Sequence, residues 1–160
     1  MKHVEAMLTA LKTVDFDVLV YPYAKSGTGS STAQQTIATW IKSIQDDEGK
    51  NVTVVLPNYT ADSEYVINSV QGVTLSDGSN LTAYETAAWI GGITAGASVT
   101  KSNTGQKFVG AIDVSPRMTR SEQETAIKAG KFLLDVDRSQ NVTVVADINS
   151  LTTTNQTKRR

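Results

Sequence analysis

Each of the three prolines in this chain closes an apolar, β-branched run. Pro22 follows Val18-Leu19-Val20-Tyr21, Pro57 follows Asn51-Val52-Thr53-Val54-Val55-Leu56, and Pro116 ends the run from Phe108 to Val114. Proline has no N–H to give to a ladder, so each run reads as a strand with a defined end. The segments between them carry helix-start signals. Ser31 with Gln34, Thr82 with Glu85 and Thr119 with Glu122 are capping-box pairs, each placed ahead of a helix. Ile37, Trp40, Ile41 and Ile44 give the first of these helices its apolar face, and Gly49 closes it. The second runs to about Ala97 and the third to about Gly130. Val4, Met7, Leu8 and Leu11 predict a further amphipathic helix at the start, ending near Thr13. Strands separated by helices of crossover length predict parallel pairing.

Tyr65 to Leu75 reads as two short extended pieces broken near Gly72, with Ser76-Asp77-Gly78 as the following turn. Near the end, Phe132–Val136 and Val142–Ala146 flank Asp137-Arg138-Ser139-Gln140-Asn141, a hairpin pattern. The expected fold is therefore α/β, a mixed β-sheet flanked by helices with a C-terminal β-hairpin. The expected organisation is a helix-strand-helix-strand part over 1–71, a second part of the same core over 72–153, and a tail over 154–160.

Composition narrows the functions. Fifteen basic residues against sixteen acidic ones give a net charge of −1, which offers no footprint for DNA, RNA or an anionic membrane. With no cysteine, disulfides, thiolate zinc sites and cysteine nucleophiles are excluded. Met1-Lys2-His3 leads into a mixed helix and not into an apolar signal segment. The longest weakly polar stretch, Ala87 to Val99, is too short to span a bilayer. Five Asn-x-Ser/Thr matches (Asn51, Asn58, Asn80, Asn141, Asn155) are by-products of a Thr- and Asn-rich chain unless it is secreted.

Residues that could carry chemistry fall short of a site. Lys25-Ser26-Gly27-Thr28-Gly29-Ser30-Ser31 follows a strand and precedes a helix, the layout of a phosphate cradle. Its lysine precedes the glycines, unlike a Walker A loop, and Thr32 stands where a dinucleotide fingerprint has its third glycine. Asp15/Asp17, Asp135/Asp137 and Asp113/Asp147 lie near strand ends, where carboxylates could hold a divalent cation or act as an acid/base pair. No second ligand motif supports them, and strand-edge aspartates commonly satisfy turns. The single histidine, His3, sits in the first turn of a terminal helix, so a Ser-His-Asp triad has no place to form. No catalytic residue, cofactor-binding residue or metal ligand is assigned.

Two features concern surfaces. Ala88, Gly92 and Gly96 repeat every four residues, with Ala87, Gly91 and Ala95 beside them. A helical glycine costs about 0.8–1.0 kcal/mol against alanine, so this close-packing face calls for a tightly approached partner, either the helix's own sheet or a neighbouring subunit. Asp46-Asp47-Glu48 ends a helix where the macrodipole disfavours negative charge, as a solvated corner or a contact for a cationic surface.

From Gly72 onward a family pattern emerges. Gly72-Val73-Thr74-Leu75-Ser76-Asp77-Gly78, Leu81-Thr82 and Ala87-Ala88-Trp89-Ile90-Gly91-Gly92-Ile93-Thr94-Ala95-Gly96 come in an order that resembles contractile tail sheath proteins of myophages and prophages. Gly110-Ala111-Ile112-Asp113-Val114 and the Thr119–Gly130 helix continue the likeness. Val144-Val145-Ala146-Asp147-Ile148-Asn149-Ser150-Leu151-Thr152-Thr153 looks like that family's Asp-Ile-Asn-Thr-Leu-Thr signature, with Ser150 in place of its threonine. Residues 1–71 fit in layout more than in motif.

The resemblance implies a structural subunit, not an enzyme, with no cofactor. Such subunits stack as hexameric rings around an inner tube and contract to drive it through a cell envelope. The implied partners are other copies of the sheath subunit, through terminal arms that add strands to a neighbour's sheet, and the tail tube protein. No nucleic acid, membrane insertion or small molecule is expected. The implied place is the virion tail or a phage-tail-like particle, assembled in the bacterial host cytoplasm. Family members are longer at both ends, so the chain reads as a central fragment without the arms. Two other classes stay open. One is a nucleotide- or small-molecule-binding α/β module using the Gly27–Gly29 loop. The other is a secreted adhesion or receptor-binding domain.

Overall fold

Side chains alternate across a strand, so a strand that is apolar at successive positions must be covered on both faces. That condition sets the architecture. The structure, a computed structural model, describes residues 2–23, 29–97 and 100–153. Its elements in chain order are α1 (Lys2–Leu11), β1 (Val18–Val20), α2 (Gly29–Glu48), β2 (Thr53–Val55), β3 (Val66–Ser69), β4 (Gly72–Leu75), β5 (Asn80–Leu81), α3 (Ala83–Gly96), β6 (Ala111–Ser115), α4 (Arg120–Lys128), β7 (Lys131–Val136) and β8 (Val142–Ala146).

The main sheet has the order β1-β2-β3-β7-β8. The first three pairings are parallel and the last, the expected C-terminal hairpin, is antiparallel. The fold is thus α/β with a mixed sheet. On one face Val54, Leu56 and Val66 meet Leu8 of α1 and Ile37 and Ile41 of α2. On the other, Val55 and Ile67 meet Ala87 and Ile90 of α3, together with Phe132, Leu134, Val142 and Val144 of the hairpin. Adjacent residues of β2 and β3 therefore feed opposite cores, which is why these strands read as continuous apolar runs.

A second sheet, antiparallel in the order β5-β4-β6, was not foreseen from the sequence. Its inward residues Val73, Ala111 and Val114 complete the α3-side core. The run expected as a strand from Phe108 becomes β6 only at Ala111, because Phe108 to Ala111 form a turn (Ala111 N–H to Phe108 C=O, 3.2 Å) with Gly110 at φ +89°. Phe108 stays buried, stacking on Trp89 of α3 with ring centroids 4.3 Å apart. The stretch before it shields the outer edge of β8: Gly105 N–H and Phe108 N–H donate to Val144 and Val142 carbonyls, each at 2.8 Å.

Helix starts follow the sequence at α3 and α4. Thr82 and Glu85, and Thr119 and Glu122, form complete reciprocal capping boxes. The Ser31–Gln34 pairing does not form a start. Helix α2 begins at Gly29, two residues earlier, and Gln34 is buried with its amide donating to the Pro57 carbonyl at 2.8 Å. That bond satisfies a buried carbonyl just past β2, and the Ser31 side chain lies outside the described residues. Gly49 closes α2 at φ +67°, as expected.

Besides the shared apolar core, a buried side chain ties the two sheets by hydrogen bonds. Gln71 lies in the kink between β3 and β4 and is 3% exposed. Its Nε2 donates to the Pro116 carbonyl at 2.9 Å, just past β6, and its Oε1 accepts from the buried Leu134 N–H of β7 at 2.8 Å.

Candidate functional site

The small-residue helix α3 presents two different faces. Ala87 and Gly91 are buried against the main sheet. A Cβ on Gly91 would come within 2.2 Å of Val20 Cγ2, so the close approach to the helix's own sheet is made there, on edge strand β1. The row Ala88, Gly92 and Gly96 points outward and is exposed, and a Cβ on Gly92 or Gly96 would meet nothing within 4 Å. The glycine cost at Gly91 is thus accounted for inside the domain, whereas that at Gly92 is not.

The carboxylate pairs are dispersed into local roles. Asp113 accepts from Arg117 Nε at 2.7 Å, and that guanidinium holds its carboxyl below the usual range. Asp135 accepts from the Val136 N–H at 2.8 Å. Asp137 organises the hairpin turn through the Asn141 and Ser139 amides, and the hydrogen bonds from the Asn141 backbone and side chain, above all, lower its pKa. Asp15 is 3.9 Å from Lys50, which also meets Glu48 at 3.4 Å. Among the described residues no group of three or more His, Asp or Glu could hold a metal ion. Asp46, Asp47 and Glu48 form an exposed corner. Of the Gly-rich loop, Gly29 opens α2, and Gly27 and Thr28 lie outside the described residues. A groove of about 520 Å³ lies between α1 and α2, lined by Leu8, Trp40 and polar residues such as Glu5 and Lys12.

The most elaborate polar arrangement lies where the signature Asp147–Thr153 crosses the domain, and each of its polar residues has a task. Asp147 Oδ2 accepts the Asn103 N–H at 2.8 Å, and its own N–H donates to Thr104 Oγ1 at 3.0 Å, which pins the loop before β6. Asn149 Oδ1 accepts the Leu151 N–H at 3.1 Å. Ser150 is fully buried, with its N–H on the Val66 carbonyl at 2.8 Å and its hydroxyl donating to Ser63 C=O at 3.0 Å. The same hydroxyl accepts from Ser63 N–H at 3.3 Å. Gly130, at φ +69°, leaves room for this crossing, since a Cβ there would lie 2.8 Å from the Ser150 carbonyl oxygen.

Asp62 completes the corner. One carboxylate oxygen accepts Thr152 N–H at 2.7 Å, Thr153 N–H at 2.9 Å and Thr152 Oγ1 at 3.0 Å, and the other accepts the Thr153 hydroxyl. Hydrogen bonds from Thr153 and Thr152 hold its pKa far below that of an ordinary aspartate, since all four favour the ionised form. The residue also sits at φ +46°, a conformation that side chains other than Asn and Asp seldom adopt. Sequence reasoning missed Asp62. It stands in an aperiodic polar stretch, and its partners lie some ninety residues away.

The signature, now with a structural reason for each polar position, agrees with comparison to known proteins. Residues 1–150 match the model of the phage tail sheath protein central domain. The chain belongs to the phage tail sheath family. Among curated relatives, the phage-like element PBSX protein XkdK of Bacillus subtilis (strain 168) is 37% identical over 147 residues, covering 91% of this chain and 31% of the relative. A tail sheath protein of Clostridium phage phiCD119 is 30% identical over 151 residues, covering 94% of this chain and 40% of the relative. The sheath domain described here thus spans about a third of the length of the curated relatives it matches first. Among solved structures, a sheath tail protein from Desulfitobacterium hafniense superposes with a TM-score of 0.88 at 38% identity, covering 95% of this chain and 35% of that one. A chain of the anti-feeding prophage (AFP) helical sheath in the contracted state shares the fold, with a TM-score of 0.65 at 15% identity over 93% of this chain and 46% of that one.

Proposed function

We propose that this domain is a rigid structural subunit of a contractile tail sheath, that it acts with other copies of itself in stacked hexameric rings around a tail tube protein, and that it performs no catalysis. The observation that carries the reading is the match of residues 1–150 to the sheath central domain. The fold shared with a contracted sheath supports it. Rigidity follows from the architecture: two cores on opposite faces of one sheet, and a second sheet tied to the first by Gln71. Contraction then re-arranges whole domains and leaves their interiors unchanged. We assign the outward row Ala88, Gly92 and Gly96 as a face on which a second copy packs, because a Cβ on Gly92 or Gly96 would meet nothing within 4 Å among the described residues. The particle is a virion tail or phage-tail-like assembly built in the bacterial cytoplasm.

Replacing the matching region of the Clostridium phage tail sheath protein with residues 1–150, then imaging the purified chimera by negative-stain electron microscopy, tests the reading. Stacked rings or hollow tubes are expected. A chimera that stays small and monodisperse, while the unaltered sheath protein assembles under the same conditions, sinks it.

A further inference from the structure

We propose that Asp62 is a positioning residue that clamps Thr152 and Thr153 and thereby couples the segment after β8 to the central strand of the main sheet. The clamp stands on this chain's own geometry; only its use in transmitting sheath motion rests on the function proposed above.

Residues 149–153 follow β8 and belong to none of the sheets formed by the described residues. Leu151, Thr152 and Thr153 are exposed, so apolar burial does little to hold them. They are held by polar contacts at two levels. Ser150 is buried between Gly130 and the start of β3, through the Val66 carbonyl and the Ser63 backbone. Past it, Asp62 receives both consecutive amides and both hydroxyls of Thr152 and Thr153. Four donors converging on one carboxylate fix direction as well as position, because two successive N–H groups can share an acceptor in few backbone conformations. Asp62 and Ser63 lead into β3, which lies in the middle of the β1-β2-β3-β7-β8 order. Tension or torque applied beyond Thr153 therefore enters the sheet at its centre instead of peeling an edge strand. The left-handed backbone at Asp62 is consistent with a device, since such a conformation persists where surrounding contacts over-determine it.

The test uses the 160-residue chain with NMR relaxation and amide exchange. Asp62→Gly removes all four acceptor contacts and suits a positive φ, so it introduces no backbone strain of its own. In the unaltered chain the Thr152 and Thr153 amides should tumble with the sheet, at order parameters near ~0.85. In Asp62→Gly they should fall below about 0.6, and their exchange should quicken by roughly ten- to a hundredfold, the loss expected of charge-assisted hydrogen bonds. Amides of β3, β7 and Ser150 should keep their protection. Asp62→Asn retains an acceptor and the tolerated backbone, and should restore most of the order. Persistent order at Thr152 and Thr153 in Asp62→Gly overturns the proposal. So does a loss of protection spreading through β3, which makes Asp62 a general stabiliser of the fold. Neither result depends on assembly, so failure here is separate from failure of the sheath reading.

Discussion

Replacing Gln71 with methionine, close in length and unable to hydrogen-bond through an amide, probes the joint between the two sheets. In the native chain both polar ends of Gln71 are used, on Pro116 C=O and on Leu134 N–H. Leu134 is 2% exposed, so its amide cannot turn to water when the Gln71 oxygen is lost. A buried amide left unpaired costs about 1–3 kcal/mol, and the lost bond to Pro116, whose residue is exposed and can be rehydrated, adds about 1 kcal/mol. The sum is about 2–4 kcal/mol, which for a chain of this size lowers Tm by roughly 4–16 °C. Calorimetry measures it directly. Gln71→Glu supplies a sharper discrimination. Its carboxylate can still accept from Leu134 but opposes the Pro116 carbonyl, and only the protonated acid can donate to that oxygen. Its folded pKa must therefore be raised above the ordinary value of about 4.3. Stability relative to native is then greatest below that value and is lost as pH rises through the folded pKa. Should Gln71→Met lie within about 0.5 kcal/mol of native, the range of an ordinary surface change, with Gln71→Glu showing no acid recovery, Gln71 is no joint at all.

Four further outcomes are expected. Gly92→Ala, in open space on α3, should stabilise the isolated chain by about 0.8–1.0 kcal/mol in urea melts, yet hinder assembly of the chimera; unchanged assembly refutes the packing role of that face. Gly91→Ala must push aside Val20 and should cost about 1–3 kcal/mol in the same melts. Glu85 and Glu122 accept from Thr82 and Thr119 and are held below their ordinary pKa, so their stabilisation is present above about pH 4.3 and fades as pH falls; Glu85→Gln with Glu122→Gln should flatten the acid limb of a Tm-against-pH curve, and an unaltered limb counts against the assignment. Millimolar ATP, NAD or FMN should leave Tm unmoved, whereas a ligand at a hundred times its Kd would add about 2.7 kcal/mol and revive a binding role for the Gly27–Gly29 loop.

What could be read in advance had local causes. The prolines, the Thr82 and Thr119 boxes and the hairpin turn act within a few residues, and they placed β1, β2, α3, α4, β7 and β8 close to where they lie. Partner choice was hidden. Nothing in Phe108–Val114 tells that this run pairs with β4 and not with the main sheet, because its apolar residues suit either core. The same limit hid Gln34 and Gln71, whose polar ends are spent on carbonyls and amides far along the chain. Of the α3 face, the four-residue repeat of small side chains was visible, but not which file turns inward. Asp62 was the most opaque, since an aspartate serving one turn and one serving a distant strap look alike in sequence.

The order of the main sheet has a consequence for how the chain reaches this state. Strands β3 and β7 are neighbours, yet the whole second sheet, α3 and α4 lie between them in sequence, and Gln71 and Leu134 are 63 residues apart. The hairpin β7-β8 and the capped helices need only short-range contacts and can form early. The parallel seam between β3 and β7 must wait for a long loop to close, an entropic toll that local structure cannot reduce. Until it closes, β3 has only β2 beside it and β7 only β8, so each keeps one edge without its native neighbour.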